Sequence, residues 1–298
     1  MWGFRAEQKI IQIGNIKFGG NPEERIPVLI GSIFYKGHRI ITDKMTGDFN
    51  KEKAEGLIKL QEEFSDKTGV PHVVDVVGEN KEVMEKYLEF VSSVTDSIIA
   101  IDGTVPTVRI HGFEYAKTYG IKNTLIYNSL MEPREDELIK LKELNVKNAI
   151  LLCYNLRNFT SKGRVEMAKE LISKAKSYGI ENTIIDTMVL DIPSLGSALK
   201  AINIIKDELG LPVGCGAHNA IGLWRGAKRK LGQQVIKPAN VAASVMAIAA
   251  GADFVLYGPI DYADVIFPIV GMVSASYAQI AIEDKKRLPA EHPRYKIA

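Results

Sequence analysis

Short apolar runs rich in isoleucine, valine and leucine recur along the chain, each followed by a polar turn and then by helically spaced apolar positions. Eight of these runs read as strands: 27–32 (PVLIGS), 72–77 (HVVDVV), 97–102 (SIIAID), 124–128 (TLIYN), 148–153 (NAILLC), 183–187 (TIIDT), 211–215 (LPVGC) and 252–257 (ADFVLY). Their near-continuous apolar character fits strands buried on both faces, as in a parallel sheet. Helical spacing fills 51–66, 81–94, 134–144, 163–178, 194–209 and 238–250. In the first of these, Ala54, Leu57, Ile58 and Phe64 share a face and the charges lie elsewhere. Segment 259–283 is less polar, with small residues throughout, and suits contact with another copy of the chain or a partner. Eight strand–turn–helix units of roughly 25–35 residues predict an (α/β)₈ TIM barrel. A doubly wound sheet would place a glycine-rich phosphate turn after its first strand, where this chain has GSIFYKGHRI. Residues 9–18 alternate about Gly14-Asn15 like a short N-terminal hairpin that would close the barrel floor. No linker or shift of composition interrupts the pattern, so residues 1–298 read as one domain.

The composition narrows the classes without naming one. With 298 residues, 46% of them hydrophobic, the chain can bury a large core. Lysine and arginine total 38 against 36 acidic residues, a formal charge of +2, which gives no reason to expect nucleic-acid binding. No run reads as long enough to cross a bilayer, which needs about 20 apolar residues, and the amino terminus lacks a signal-peptide core. The two cysteines, Cys153 and Cys215, lie in apolar strands, which suits a reducing cytoplasm.

Four strands end on a carboxylate or an amide: Asp102 in SIIAIDGT, Asn128 in TLIYNSL, Asp186 in TIIDTM and Asn219 in VGCGAHN. Singly, each reads as a turn or helix-cap residue. Together, at strand ends that converge on the mouth of a barrel, they read as a site. Carboxylates accept from ring N–H groups and an amide donates to a carbonyl, a set that suits a reduced pterin. Gly214 and Gly216 in the turn before Asn219 allow close approach of backbone.

Cys215 and His218 sit three apart with Cys153 elsewhere, but no second closely spaced pair supports zinc, and His218 reads as orienting Asn219 or capping its turn. The run 224–237 (WRGAKRKLGQQVIK) holds Arg225, Lys228, Arg229, Lys230 and Lys237. It reads either as a solvated helix face or as a contact for an anionic ligand tail or an acidic partner. Segment 32–39 (SIFYKGHR) reads equally as a structural loop or as a mouth loop using Tyr35, Lys36 and His38, while Trp224 and Tyr257 read as packing residues.

The segments IGSIFYKGHRI, IYNSL, LPVGCGAHNA and ADFVLYGPI resemble the family of the H subunit of tetrahydromethanopterin S-methyltransferase. They also resemble its bacterial relatives that methylate tetrahydrofolate from a methyl-corrinoid protein. The resemblance runs from about residue 8 to about residue 280, and the more distant methyltetrahydrofolate:corrinoid methyltransferases share Gln61-Glu62-Glu63 before a strand. It implies a pterin-binding barrel, commonly a homodimer, that moves a methyl group between pterin N5 and the cobalt of a separate corrinoid protein. The chain has no corrinoid-binding Asp-x-His-x-x-Gly motif, which agrees with a separate carrier. The implied pterin contacts fall on Asp102, Asn128, Asp186 and Asn219, and Asp75 in HVVDVVG matches a further family aspartate. Gly103 stands where relatives often carry serine. The implied mechanism is displacement at a methyl carbon, with Asn219 hydrogen-bonded to N5 and a proton supplied through a network that includes Asp75. Two rivals stay open: a dihydropteroate-synthase-like enzyme, although YGPIDYAD lacks its phosphate-binding lysine and arginine, and a non-catalytic docking component of a membrane-associated complex. Tetrahydrofolate against tetrahydromethanopterin is undecided, with abundant lysine and isoleucine leaning toward the latter.

Overall fold

A computed structural model of the chain describes residues 3–297. Strands β1 (Ile10–Ile13) and β2 (Ile16–Gly19) form the expected antiparallel hairpin. Strand β3 (Val28–Ile33) opens the barrel, and a two-stranded ribbon of β4 (Ile41–Asp43) and β5 (Asp48–Phe49) follows it. Then strands and helices alternate: α1 (Lys51–Thr68), β6 (His72–Gly78), α2 (Lys81–Val94), β7 (Ile99–Gly103), α3 (Pro106–Tyr119) and β8 (Leu125–Leu130). The alternation continues with α4 (Glu135–Glu143), β9 (Asn148–Leu152), α5 (Ser161–Ser177), β10 (Asn182–Asp186), α6 (Ile192–Leu209) and β11 (Val213–Cys215). Two short helices, α7 (His218–Gly222) and α8 (Ala227–Leu231), precede α9 (Ile236–Ala249). Strand β12 (Phe254–Pro259), α10 (Ala263–Glu283) and α11 (Pro293–Ile297) complete the order. The barrel strands close as β10-β11-β12-β3-β6-β7-β8-β9, every neighbouring pair parallel.

Alternation along each strand decides what enters the barrel. At its lower end Val28, Ile30, Val73, Ile98, Ala100, Ile126, Ile150, Ile184 and Phe254 form one apolar plug. Ile13, Ile16 and Phe18 of the hairpin join that plug from below, so the hairpin seals the floor. Two residues further along the same inward columns the chemistry changes, and Ser32, Asp75, Asp102, Asn128 and Asp186 appear at the upper end. The alternate residues of each strand, such as Leu29, Val74, Ile99 and Ile185, face outward into the larger core beneath the helices.

Buried polar contacts tie this scaffold together. Lys206 on α6 is fully buried, with Nζ 2.8 and 3.0 Å from the two Asp253 carboxylate oxygens and 2.9 Å from the Gly20 carbonyl. Burial pushes Asp253 up to about 6 even beside Lys206, whose attraction works the other way. Gln61 on α1 accepts the Tyr257 hydroxyl at 2.5 Å, over Gly31, whose missing side chain leaves the room. Asn50 and Asn80 cap α1 and α2, and Asp191 with Ser194 forms a capping box on α6.

Three features differ from the sequence reading. Helix α3 is not marked by periodicity, because its buried face carries Arg109 and Gly112 among Val108, Phe113 and Ala116. The ribbon β4–β5 and the short α7, α8 and α11 carry too few residues for a period to show. The segment Ile260–Glu283 does reach membrane-spanning length and apolarity, contrary to the expectation that no run would. It lies as an outer helix along α1, α9 and α11, and Ile266, Phe267, Val270 and Val273 turn into the core.

Candidate active site at the barrel mouth

The upper ends of the strands enclose a cavity of about 480 Å³. Asp75, Asp102, Asn128, Asp186, Gly216 and Asn219 all line it, so six of the seven residues proposed from the sequence converge. Gly214 does not. It lies within β11 opposite Phe254, and a Cβ there would stand 2.0 Å from the Phe254 carbonyl oxygen. Its bareness serves the closure of β11 on β12. Gly216 does face the cavity, and its N–H donates to the Asp186 carboxylate. A Cβ on Gly216 would stand 3.0 Å from Asn219 Nδ2, so the glycine keeps space for that amide.

The carboxylates differ in how much the protein satisfies them. Asp75 accepts from Ser32 Oγ at 2.7 Å and from Asn128 Nδ2 at 2.9 Å. Asp186 accepts the Met188 N–H at 2.6 Å, and Met188 is held at φ +54, a conformation uncommon for a residue with a side chain. Asp102 receives only the Gly103 backbone N–H. Burial pushes Asp186 up to about 7, with the Met188 and Gly216 N–H groups and Arg164 pulling back. Asp75 is buried and Asp102 half-buried beside it, and desolvation is the chief cause that raises both. Asp102 rises further because the charge of Asp75 adds to burial, whereas Ser32 and Asn128 stabilise ionised Asp75. At neutral pH the pair therefore holds on to a proton.

An arginine stands behind Asp102 and another behind Asp186, and both escaped the sequence reading. Arg109 donates to the Gly103 carbonyl at 2.6 Å and stacks 5.0 Å above the Tyr127 ring. Its other end lies 3.5 Å from Glu137, which accepts the Tyr127 hydroxyl at 2.6 Å. Arg164 donates to the Thr187 carbonyl at 2.7 Å, beneath Asp186. Each is the fourth residue of its helix, and neither helix carries an acidic residue in its first turn. A cation there opposes the helix dipole, and that was the available signal.

Two amides of the site are free, whereas that of Asn128 is engaged by Asp75. Among the described residues the Asn219 side chain has no hydrogen-bond partner, and neither does that of Asn240, a cavity residue on α9 that the sequence reading did not mark. His218 lies beside them, buried, with Nδ1 2.9 Å from the Leu256 carbonyl. Burial lowers its pKa, so the ring is neutral, Nδ1 carries the proton, and Nε2 is left to accept. It rests on Gly258, at φ +86, where any Cβ would stand 2.6 Å from the ring. His218 thus anchors to β12, and its hydrogen bond goes to Leu256 rather than to the Asn219 side chain.

Asp75 and Asn219 are not hydrogen-bonded to each other; the Asp75 network runs to Ser32 and Asn128 on the other side of the mouth. Tyr35 lines the cavity and stacks on buried His38, with ring centres 4.3 Å apart, while Lys36 points away from it. Cys153 and Cys215 are buried, and burial raises both thiols well above their ordinary range, so neither is a thiolate. No group of three or more His, Cys, Asp and Glu able to hold a metal occurs among the described residues. Trp224 packs, partly buried, on the edge of the core.

In architecture the molecule is a barrel of the dihydropteroate synthase kind. A solved dihydropteroate synthetase with its product superposes with a TM-score of 0.62 at 12% identity, covering 90% of this chain and 99% of that one. The Vibrio fischeri dihydropteroate synthase gives 0.56 at 16% identity over 94% of this chain and all of that one. At such identities the likeness concerns the fold alone. The sequence places the chain more narrowly: residues 6–287 match the tetrahydromethanopterin S-methyltransferase MtrH subunit family, and the chain belongs to that methyltransferase family. It is 37% identical to the H subunit of the Methanothermobacter marburgensis tetrahydromethanopterin S-methyltransferase, over the full length of both. It is 35% identical to the same subunit of Methanopyrus kandleri, covering 96% of each chain, and 33% identical to that of Methanosarcina acetivorans, covering 95% of each.

Proposed function

We propose that the protein binds a reduced pterin in the mouth cavity and moves a methyl group between pterin N5 and the cobalt of a corrinoid carried by a partner protein. The observation that carries this reading is the inward column of Asp102, Asn128 and Asp186 facing the unpartnered Asn219 amide across one cavity. Asp102 and Asp186 would accept from the amino-pyrimidinone edge, the arginines behind them keeping each within reach of ionisation. Asn128 is already engaged to Asp75 through its amino group, so its carbonyl oxygen is the atom free to accept a ring N–H. Asn219 is the donor for N5. A tertiary amine leaves poorly, and a hydrogen bond at N5 counters the charge that changes there during transfer. Asp75 lines the same cavity, holds Asn128 and retains a proton with Asp102. It is a positioning group, and the proton reaches N5 from solvent. Membership in a family named for tetrahydromethanopterin supports that pterin over tetrahydrofolate. A homodimer formed through the outer face of α10 belongs to the same proposal.

The test combines calorimetry with both reduced pterins and a methyl-transfer assay using cobalamin. Asn219→Ala should lower the transfer rate about 100-fold or more, as loss of one preorganised donor does, with little change in pterin affinity. An unchanged rate removes Asn219 from that role. Binding without any transfer, to free cobalamin or to a carrier, would identify a docking component, and no binding of either pterin would end the reading.

A further inference from the structure

A second hollow of about 500 Å³ opens off the mouth cavity and shares Tyr35, Ile236, Pro259 and Tyr262 with it. Arg39 reaches it from the loop after β3, and Lys228 and Lys237 from the basic run after Asn219. Lys237 is spoken for: its Nζ donates to Asp264 at 2.7 Å and lies 5.3 Å over the Tyr262 ring. Asp261 is the one acidic group in the lining. Burial raises its pKa, but His38 and Tyr35 prevail and keep it below the ordinary carboxylate range, so it is ionised. Arg39 and Lys228 are exposed and have no ion-pair or hydrogen-bond partner among the described residues. With Lys237 cancelled by Asp264 and Asp261 counted against the two free cations, the hollow keeps a net positive charge. The rest of the run behaves differently, since Arg225, Arg229 and Lys230 do not line it. Two cations from separate segments, Arg39 in the loop after β3 and Lys228 on α8, therefore converge on a concave space continuous with the site. That shape takes a flexible chain ending in an anion better than it takes the surface of a protein.

Resting on the function proposed above, we infer that this hollow holds the anionic tail, phosphate- or carboxylate-bearing, of the pterin whose ring lies in the mouth cavity. Arg39 and Lys228 grip its terminal anion, and Gln233 in the same lining is a further donor.

Binding should be measured by calorimetry at low salt for the intact reduced pterin and for 6-methyltetrahydropterin, which has the ring and no tail. The double variant Arg39→Gln/Lys228→Gln should weaken the intact pterin roughly ten-fold and leave the tail-less ring unchanged. That loss should shrink as salt rises, because exposed charges are screened beyond about 8 Å at physiological ionic strength. The charge-preserving pair Arg39→Lys/Lys228→Arg should retain most of the affinity. If the ring binds and the double variant holds the intact pterin as tightly as wild type, the inference is overturned and the function stands. If neither compound binds the wild-type chain, the function falls and the inference with it.

Discussion

Asp102 is the residue on which the chemistry of the mouth turns most sharply. It stands half-buried against another carboxylate with a single backbone donor, and Arg109 reaches it only through space. Together with Asp75 and Asp186, it has a folded-state pKa above that of an unfolded aspartate, about 3.9. The sign of the linkage follows. Groups with raised pKa contribute stability that is present below the unfolded value and lost as pH rises through the folded one. The ligand-free protein should therefore lose stability between about pH 4, the unfolded value, and the range near 7 where Asp186 titrates. Asp102→Asn should flatten that slope in urea unfolding followed across pH, since it removes one of the three titrating groups. Pterin affinity should run the other way and strengthen as the carboxylates ionise. A slope that Asp102→Asn leaves untouched would show that the carboxylate ionises as freely as in an unfolded chain. At this scale the sequence was informative: the polar ends of IAID, IYN and IID named three cavity residues. It could not distinguish Gly214 from Gly216, because the neighbour that fills the space beside Gly214 is the distant Phe254.

Among the elements, the hairpin and α6 show how the floor is held so that the mouth can be built. Lys206 joins Asp253 at the base of β12 to the Gly20 carbonyl after β2, and Asp253 also accepts the Val213 N–H at 2.9 Å. Lys206→Met would leave that carboxylate buried and unpaired, at a cost of about 3–5 kcal/mol. The double change Lys206→Met/Asp253→Asn should recover part of this. Denaturant titration checks both, and ligand affinity of the folded fraction should not change, since neither residue lines the cavity. An undiminished midpoint for Lys206→Met would remove the pair from the stability of the floor. The hairpin was legible from alternation about Gly14-Asn15, and the strands from their apolar runs. Helix α3 was not, because its buried face carries Arg109, which reaches toward Glu137 of α4, and Gly112 rather than a plain apolar stripe.

For the molecule as a whole, α10 poses the question of what covers its outer face. The segment Ile260–Glu283 is long and apolar enough to cross a membrane, yet less than half of its most apolar stretch is buried. Met272 stands 57% exposed on it and Met246 48% exposed on neighbouring α9. The proposed homodimer would cover these side chains. Sedimentation equilibrium should then give twice the chain mass of 32.9 kDa, and Met272→Glu should shift it toward the monomer. A wild-type chain that sediments as a monomer would remove the dimer and leave the barrel's chemistry unaffected.

What can be read in one dimension here is whatever repeats at short range. The alternation of β and α units, the hairpin, and the polar residue that ends an inward column all follow from periods of two and 3.6 residues. Closure of the barrel supplied the rest, because it joins residues with no local relation. It set Arg164 of α5 behind Asp186 of the neighbouring strand, brought Asn240 into the cavity with Asn219, and turned Arg39 and Lys228 into one hollow. Such pairings depend on which strands become neighbours and how far each is staggered, and no local pattern encodes that.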